Sequence, residues 1–336
     1  MIYYKLWNPA GLMNQVMSIE LAVGIKHITK SEMTIYNILN GQDKSSPIFS
    51  STRLNNKKNN LLDDSKAFLV SDILNWKDKD SYIMSEDREL SLGNEYKIID
   101  NLMKVYCDVK NEDYDSEFSE GREQISLSDN MHIQDTLGWY SRFFKNRTKE
   151  LDQSISSVRF LPEYYELSEQ IAKSLGNFNG AHLRLTDHKD MFDPDNNVVD
   201  SGIGKIDNGL PIVLCTDQPE SELIKNSSYN YLMLDDYILN NFYKEFKEFK
   251  FKEEVSFGIL NNLVMHYSQD FIGSPGSTYT GYIHRGLNQK RDIQWKIFGE
   301  EEHIQDGPYS WNGYNSRETF TKQFWREWKE SKINVL

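Results

Sequence analysis

Four short apolar runs in the second half of the chain, at 180–185, 212–215, 231–234 and 270–273, each stop in small polar or charged residues. Segments of helical spacing lie between and around them. Pro162 opens one, with Leu167, Ile171 and Leu175 on a common face and Gly176 as its stop. Phe242, Phe246 and Phe249 mark a second, with Lys and Glu on its solvated side, and 261–267 a third. Strands that alternate with helices call for a doubly wound parallel sheet, because parallel neighbours need a crossover connection. In such a sheet the carboxyl ends of the strands line one crevice, and ligands bind there. Here those ends read Arg184-Leu185-Thr186-Asp187, Thr216-Asp217, Asp235-Asp236 and Gly273-Ser274-Pro275-Gly276-Ser277-Thr278.

The N-terminus repeats the theme. A β-rich run at 2–7 meets the turn Asn8-Pro9-Ala10-Gly11, and Leu12, Val16, Ile19 and Val23 then recur at helical spacing. A second strand is expected at 33–38, which makes a βαβ unit. Residues 40–64 and 111–123 are polar and read as surface insertions. The composition turns polar again around 146–157. We therefore place the boundary between an N-terminal domain, 1–150, and a C-terminal domain, 151–336. A length of 336 residues suits two such domains.

Composition narrows the function. The net charge of −13 and a pI near 5.1 exclude a polyanion such as nucleic acid as the main partner. They leave room for one small anion held by local groups. No apolar run approaches the roughly 18 residues of a membrane span, and the first residues lack the pattern of a signal peptide. Two cysteines, Cys107 and Cys215, make no disulfide framework, so the expected setting is cytoplasmic.

Two strand ends carry the clearest chemistry. Gly276-Ser277-Thr278 precedes a helix expected through Tyr279, Tyr282 and Ile283, and a helix start offers free N–H groups to an anion. A plain N-cap is the alternative reading of that segment. Arg184 ends an alternating run that puts His182 and Arg184 on one face. Its planar guanidinium suits phosphate oxygens, while pairing with Asp187 would be purely structural. Together Arg184 and the Gly-Ser-Thr helix start make a diphosphate clamp. Neither a Walker loop nor a Gly-x-Gly-x-x-Gly fingerprint occurs.

These residues resemble a known family. His182-Leu183-Arg184-Leu185-Thr186-Asp187 is similar to the His-x-Arg-x-x-Asp motif of the O-fucosyltransferase and α1,6-fucosyltransferase superfamily. The segment from Asp270 to Tyr279 resembles its second motif, the segment from Pro211 to Glu220 its intervening strand and Thr-Asp element, and Gly11-Leu12-Met13-Asn14-Gln15 its Gly-x-x-Asn-Gln opening. The resemblance implies an α/β GT-B glycosyltransferase, with two Rossmann-like domains facing a central cleft and a C-terminal helix packing back on the body. Phe320, Phe324 and Trp328 fall at the spacing of such a helix. The N-terminal domain would be the acceptor side and the C-terminal domain would bind the donor.

The implied reaction moves L-fucose from GDP-fucose to a glycan or protein hydroxyl, inverting and without a metal or other cofactor. Arg184 would hold the β-phosphate and stabilise departing GDP. His182 would touch ribose or phosphate, and Ser277, Thr278 and Tyr279 phosphate and sugar. Thr216 and Asp217 belong to the same donor site, and Asn14 and Gln15 would reach the donor from the other domain. Asn261 stands at the base-reading position, where relatives often carry Asp, and this keeps a UDP-sugar or a rhamnose donor open. Asp187, Asp190, Asp193 and Glu20 are candidate general bases. Asp190 is preferred because it follows the first motif, whereas Asp187 more naturally orients Arg184. Three rival readings stand beside it: a Mn²⁺-dependent transferase using Asp235-Asp236, a zinc or hydrolase cluster around His182, His188, Asp187 and Asp190, and a non-catalytic carbohydrate-binding protein.

Overall fold

The computed structural model describes residues 2–6, 12–36, 38–39, 68–85, 131–135, 148–185, 198–249, 253–274 and 277–290. Among them the chain divides into two compact units, the first ending at Leu161 and the second beginning at Pro162. The expected insertions at 40–64 and 111–123, Cys107 and the helix through Phe320, Phe324 and Trp328 lie outside the described residues.

The first unit is a mixed α/β body around a four-stranded parallel sheet. Its elements are β1 (Ile2–Leu6), α1 (Leu12–Thr29), β2 (Met33–Tyr36), β3 (Ile83–Ser85), β4 (Met131–Asp135) and α2 (Lys149–Ser156). The strands lie in the order β3-β2-β1-β4, with Ile2 beside both Met33 and Met131. From Leu12 to Ile25 the described side chains of α1 are buried all round, which makes it a core helix rather than a surface one. Thr148 caps α2 by accepting the Leu151 amide at 3.1 Å, and Ser154 on α2 meets His27 of α1, with Oγ and Nδ1 3.0 Å apart. The polar stretch near 150 is thus a capped helix belonging to this unit. The strand expected through Ile38 ends at Tyr36, and Ile38–Leu39 pairs instead, antiparallel, with Phe68–Leu69.

The second unit repeats the architecture. It runs α3 (Pro162–Leu175), β5 (Asn179–Leu183), β6 (Ile212–Thr216), β7 (Tyr231–Met233), α4 (Leu234–Asn241), α5 (Glu253–Met265), β8 (Phe271–Gly273) and α6 (Thr278–Lys290). Its sheet is parallel in the order β7-β6-β5-β8. In chain order both sheets therefore read 3-2-1-4, the Rossmann-like arrangement, with a switch point between the first and fourth strands. All five residues of β5 are buried, as a strand covered on both faces must be.

Local chemistry explains the punctuation. Pro162 starts α3, and Gly176, at φ 72°, ends it in the left-handed conformation that glycine adopts without a steric penalty. Its amide donates back to Ala172 at 3.1 Å. The Phe triplet is only partly helical. Phe246, on the short helix Tyr243–Glu248, stacks on Phe257 at 4.3 Å, whereas Phe249 lies beyond it and stacks on Tyr164 at 4.6 Å. Asp235 and Asp236 were expected at a strand end; the strand stops at Met233 and both sit in the first turn of α4, where acidic side chains favour the helix dipole.

Candidate functional site

In the second unit the side chains singled out from the sequence gather where β5 and β8 end and α6 begins. Gly273 lets this happen. A Cβ there would overlap the Thr280 methyl and sit 2.6 Å from its Oγ1, so only glycine allows α6 to rest on the strand end. Thr280, one turn into α6, shares a 2.7 Å hydrogen bond with His182 Nδ1. The His182 ring also lies against Tyr279, with centroids 4.7 Å apart and planes at 37°. His182 is thereby fixed to the helix by its edge and by its face.

Arg184 follows directly after β5 and is half-buried. Its backbone amide donates to Ser274 Oγ at 2.7 Å, and the Ser274 hydroxyl donates in turn to the His182 carbonyl at 3.1 Å. On the other side of β5, the Leu185 amide donates to Asp217 Oδ1 at 2.7 Å. Thr216 Oγ1 accepts the Gln218 amide at 3.1 Å, so Thr216 shapes the turn that carries Asp217.

Ser277 is fully buried and acts as the cap of α6. Its Oγ accepts the Thr280 amide at 3.4 Å and its carbonyl accepts the Gly281 amide at 3.0 Å. Thr278 is the first residue of the helix. Tyr279 closes the back of the site. Its hydroxyl donates to the Gly258 carbonyl at 2.7 Å, and its carbonyl accepts from Asn262 Nδ2 at 3.3 Å, which locks α6 to α5. Burial, reinforced by Cys215 and Asp235, holds its phenol well above the ordinary pKa, so it stays neutral. Burial and then Asp235 do the same for the Cys215 thiol.

Asn261, on α5, donates through Nδ2 to Asp235 Oδ1 at 2.7 Å. Its Oδ1 is buried with no hydrogen-bond partner among the described residues. The amide is therefore oriented, with its carbonyl as the remaining acceptor.

The structure thus brings His182, Arg184, Thr216, Asp217, Asn261, Ser277, Thr278 and Tyr279 to one edge of one sheet, the carboxyl edge. Asn14 and Gln15 belong to the first unit, on α1, where Gln15 is buried, as is Glu20 further along the helix. Asp187, Asp190, Asp193 and His188 lie outside the described residues. The sequence alone points to no role for Thr280 or Asn262 and to none for Ser274 beyond its place in a strand end, and it presents Asp235 as a strand end and as half of a metal pair. Ser274 could have been found as the hydroxyl directly after an apolar run; nothing in the sequence tied Asp235 to Asn261. Among the described residues no three His, Cys, Asp or Glu side chains are grouped to hold a metal ion.

No family model matches the chain, and no curated protein matches it. Solved structures similar to it include fucosyltransferases. The fucosyltransferase NodZ from Bradyrhizobium is 11% identical, with 84% of this chain and 91% of that one covered and a TM-score of 0.47. NodZ α1,6-fucosyltransferase co-crystallised with GDP is 12% identical over the same shares, also at a TM-score of 0.47. POFUT1 in complex with GDP-fucose is 9% identical, with 89% of this chain and 98% of that one covered and a TM-score of 0.42. Among the described residues no helix is long and apolar enough to cross a membrane.

Proposed function

We propose that the protein is a glycosyltransferase that binds a nucleotide-diphosphate sugar at the carboxyl edge of the second unit's sheet. The observation that carries this reading is the placement of Arg184 at the switch point, its backbone bonded to Ser274 three residues before the cap of α6. An Arg on a strand end next to a helix start suits a diphosphate, since the helix N-terminus and the guanidinium both favour negative charge and the guanidinium is always ionised.

In glycosyl transfer the sugar passes through an oxocarbenium-like state while charge builds on the departing diphosphate. Groups set against that charge beforehand contribute the largest share of the catalysis. Arg184 and the first amides of α6 take this role. Ser277 contributes through the helix, because its hydroxyl is engaged in the cap. His182 and Tyr279 brace the same corner, and Asp190 takes the acceptor proton as general base. No metal is required, since Arg184 and the α6 N-terminus supply the positive potential; activity in EDTA tests this.

The donor we infer from the motif resemblance is GDP-fucose, with a glycan or protein hydroxyl as acceptor. The oriented Asn261 favours a second reading, a UDP-sugar. One carbonyl acceptor matches the single N3–H of uracil, whereas guanine presents N1–H and N2–H side by side. A panel of GDP- and UDP-sugars scored by nucleotide release, run with Arg184→Ala, tests the proposal. Turnover should fall by ~100-fold or more in the variant. Unchanged turnover would remove Arg184 from the site, and no stabilisation of the wild type by either nucleotide would sink the transferase reading.

A further inference from the structure

We propose that Ser274 and Asp217 are positioning residues that extend the β-ladder by two residues with side chains and so fix where Arg184 points. The amides of β5 alternate between neighbours: Asn179 donates to Pro211, on the β6 side, and Gly180 to Asp270, on the β8 side. Odd-numbered amides thus face β6 and even-numbered amides β8. The backbone partners run out at the last registered pairs, Leu183 with Thr216 and His182 with Gly273. Beyond them the alternation continues unbroken, now with side-chain acceptors. Arg184, even, donates to Ser274 Oγ at 2.7 Å, and Leu185, odd, donates to Asp217 Oδ1 at 2.7 Å.

This keeps the chain extended for two residues after both neighbouring backbones have ended as strands. The period of two then places Arg184 on the face of His182, whose ring meets Thr280 and Tyr279 on α6. Ser274 adds a second tie by donating to the His182 carbonyl at 3.1 Å, and it is fully buried, so its geometry does not depend on solvent. Without the two acceptors, the segment after Leu183 could turn away and carry Arg184 off the face it shares with His182. A displacement of about 1 Å at a charged group is enough to cost on the order of 100-fold in rate. The functional half of the inference rests on the transferase reading; the structural half does not.

The test separates the two halves. Residue-resolved hydrogen exchange on Ser274→Ala and Asp217→Ala should show the amides of Arg184 and Leu185, respectively, exchanging at least about tenfold faster, with melting curves confirming folded protein. Unchanged exchange overturns the ladder extension whether or not the protein turns over a nucleotide sugar. Kinetics of nucleotide release should show kcat lowered about tenfold or more with KM within about threefold, because a misplaced Arg184 is missed mainly in the transition state. Asp217→Asn keeps the acceptor oxygen and should restore most of the rate, which separates an acceptor role from a charge role. In an Arg184→Ala background, Ser274→Ala should cost nothing further. Faster exchange with unchanged kcat, or an equal loss in that background, overturns the positioning of Arg184. A wild type that neither binds nor turns over nucleotide overturns the transferase reading, while the exchange data still decide on the ladder extension.

Discussion

Replacing Gly273 by Ala probes the contact on which the whole corner depends. The new Cβ would overlap the Thr280 methyl and lie 2.6 Å from Oγ1 and 3.0 Å from Cβ of the same residue. Ordinary contact begins near 3.5 Å, so about 1 Å must be found. Rotating Thr280 does not provide it, because both γ-atoms crowd the site and a β-branched side chain is stiff at χ1. Helix α6 has to retreat instead, and the 2.7 Å bond between Thr280 and His182 stretches with it. Overpacking costs ~1–3 kcal/mol and the strained hydrogen bond ~1 kcal/mol, a sum of ~2–4 kcal/mol. Urea denaturation followed by tryptophan fluorescence should register this as a fall of about 1–2 M in the midpoint, given a slope of about 2 kcal/mol per M. Thr280→Ser removes the overlapping methyl and keeps the hydroxyl, so the double variant should recover at least ~1 kcal/mol relative to additivity. A Gly273→Ala protein within about 0.5 kcal/mol of wild type, or no coupling with Thr280→Ser, would refute the close-approach argument.

Asn261→Asp would set a second carboxylate against Asp235, whose Oδ1 now receives the Asn261 amide at 2.7 Å. One of the two acids must then keep its proton with a raised pKa, so the variant should lose stability as pH rises from about 5 to about 8, while wild type shows no such loss from this pair; melting temperature against pH reads it. His27 is held below its ordinary value of 6.5 by burial first and then by Lys30 and Lys77, against an opposing pull from Glu150. The unfolded chain therefore takes up the proton more readily. The His27 contribution is present above 6.5 and lost as pH falls from there through the lower folded value, and His27→Gln should flatten that part of the melting curve. Tyr279→Phe should cost ~1 kcal/mol through the lost bond to Gly258 yet keep nucleotide release near wild type, since the hydroxyl is spent on α5; a tenfold loss of kcat would return Tyr279 to the reacting centre.

Much of this architecture was legible because it rests on local pattern. Pro162 and Gly176 bound α3 as their backbone preferences require, and the apolar runs became strands within a residue or two at each end. Asp235 was misplaced because a strand that turns straight into a helix leaves no turn residues to read, and Met233-Leu234 is apolar on both sides of the change. The site was legible as a set of strand ends. What stayed hidden were the pairings across elements: Ser274 with Arg184, Thr280 with His182, Asp235 with Asn261. Each joins residues 26 to 98 positions apart, and no local preference encodes such a partner.

The parallel sheets have a consequence for how such a chain can diversify. In a parallel sheet every segment that follows a strand leaves from the same edge. In the second unit Arg184, Asp217 and Ser274 stand on that edge, directly after β5, β6 and β8. Lengthening a loop adds entropy cost only logarithmically, so residues added after a strand come at little expense to the sheet. Segments that leave this edge can therefore vary in length and sequence while Gly273, Ser274 and Asp217 go on holding the strand ends beneath them.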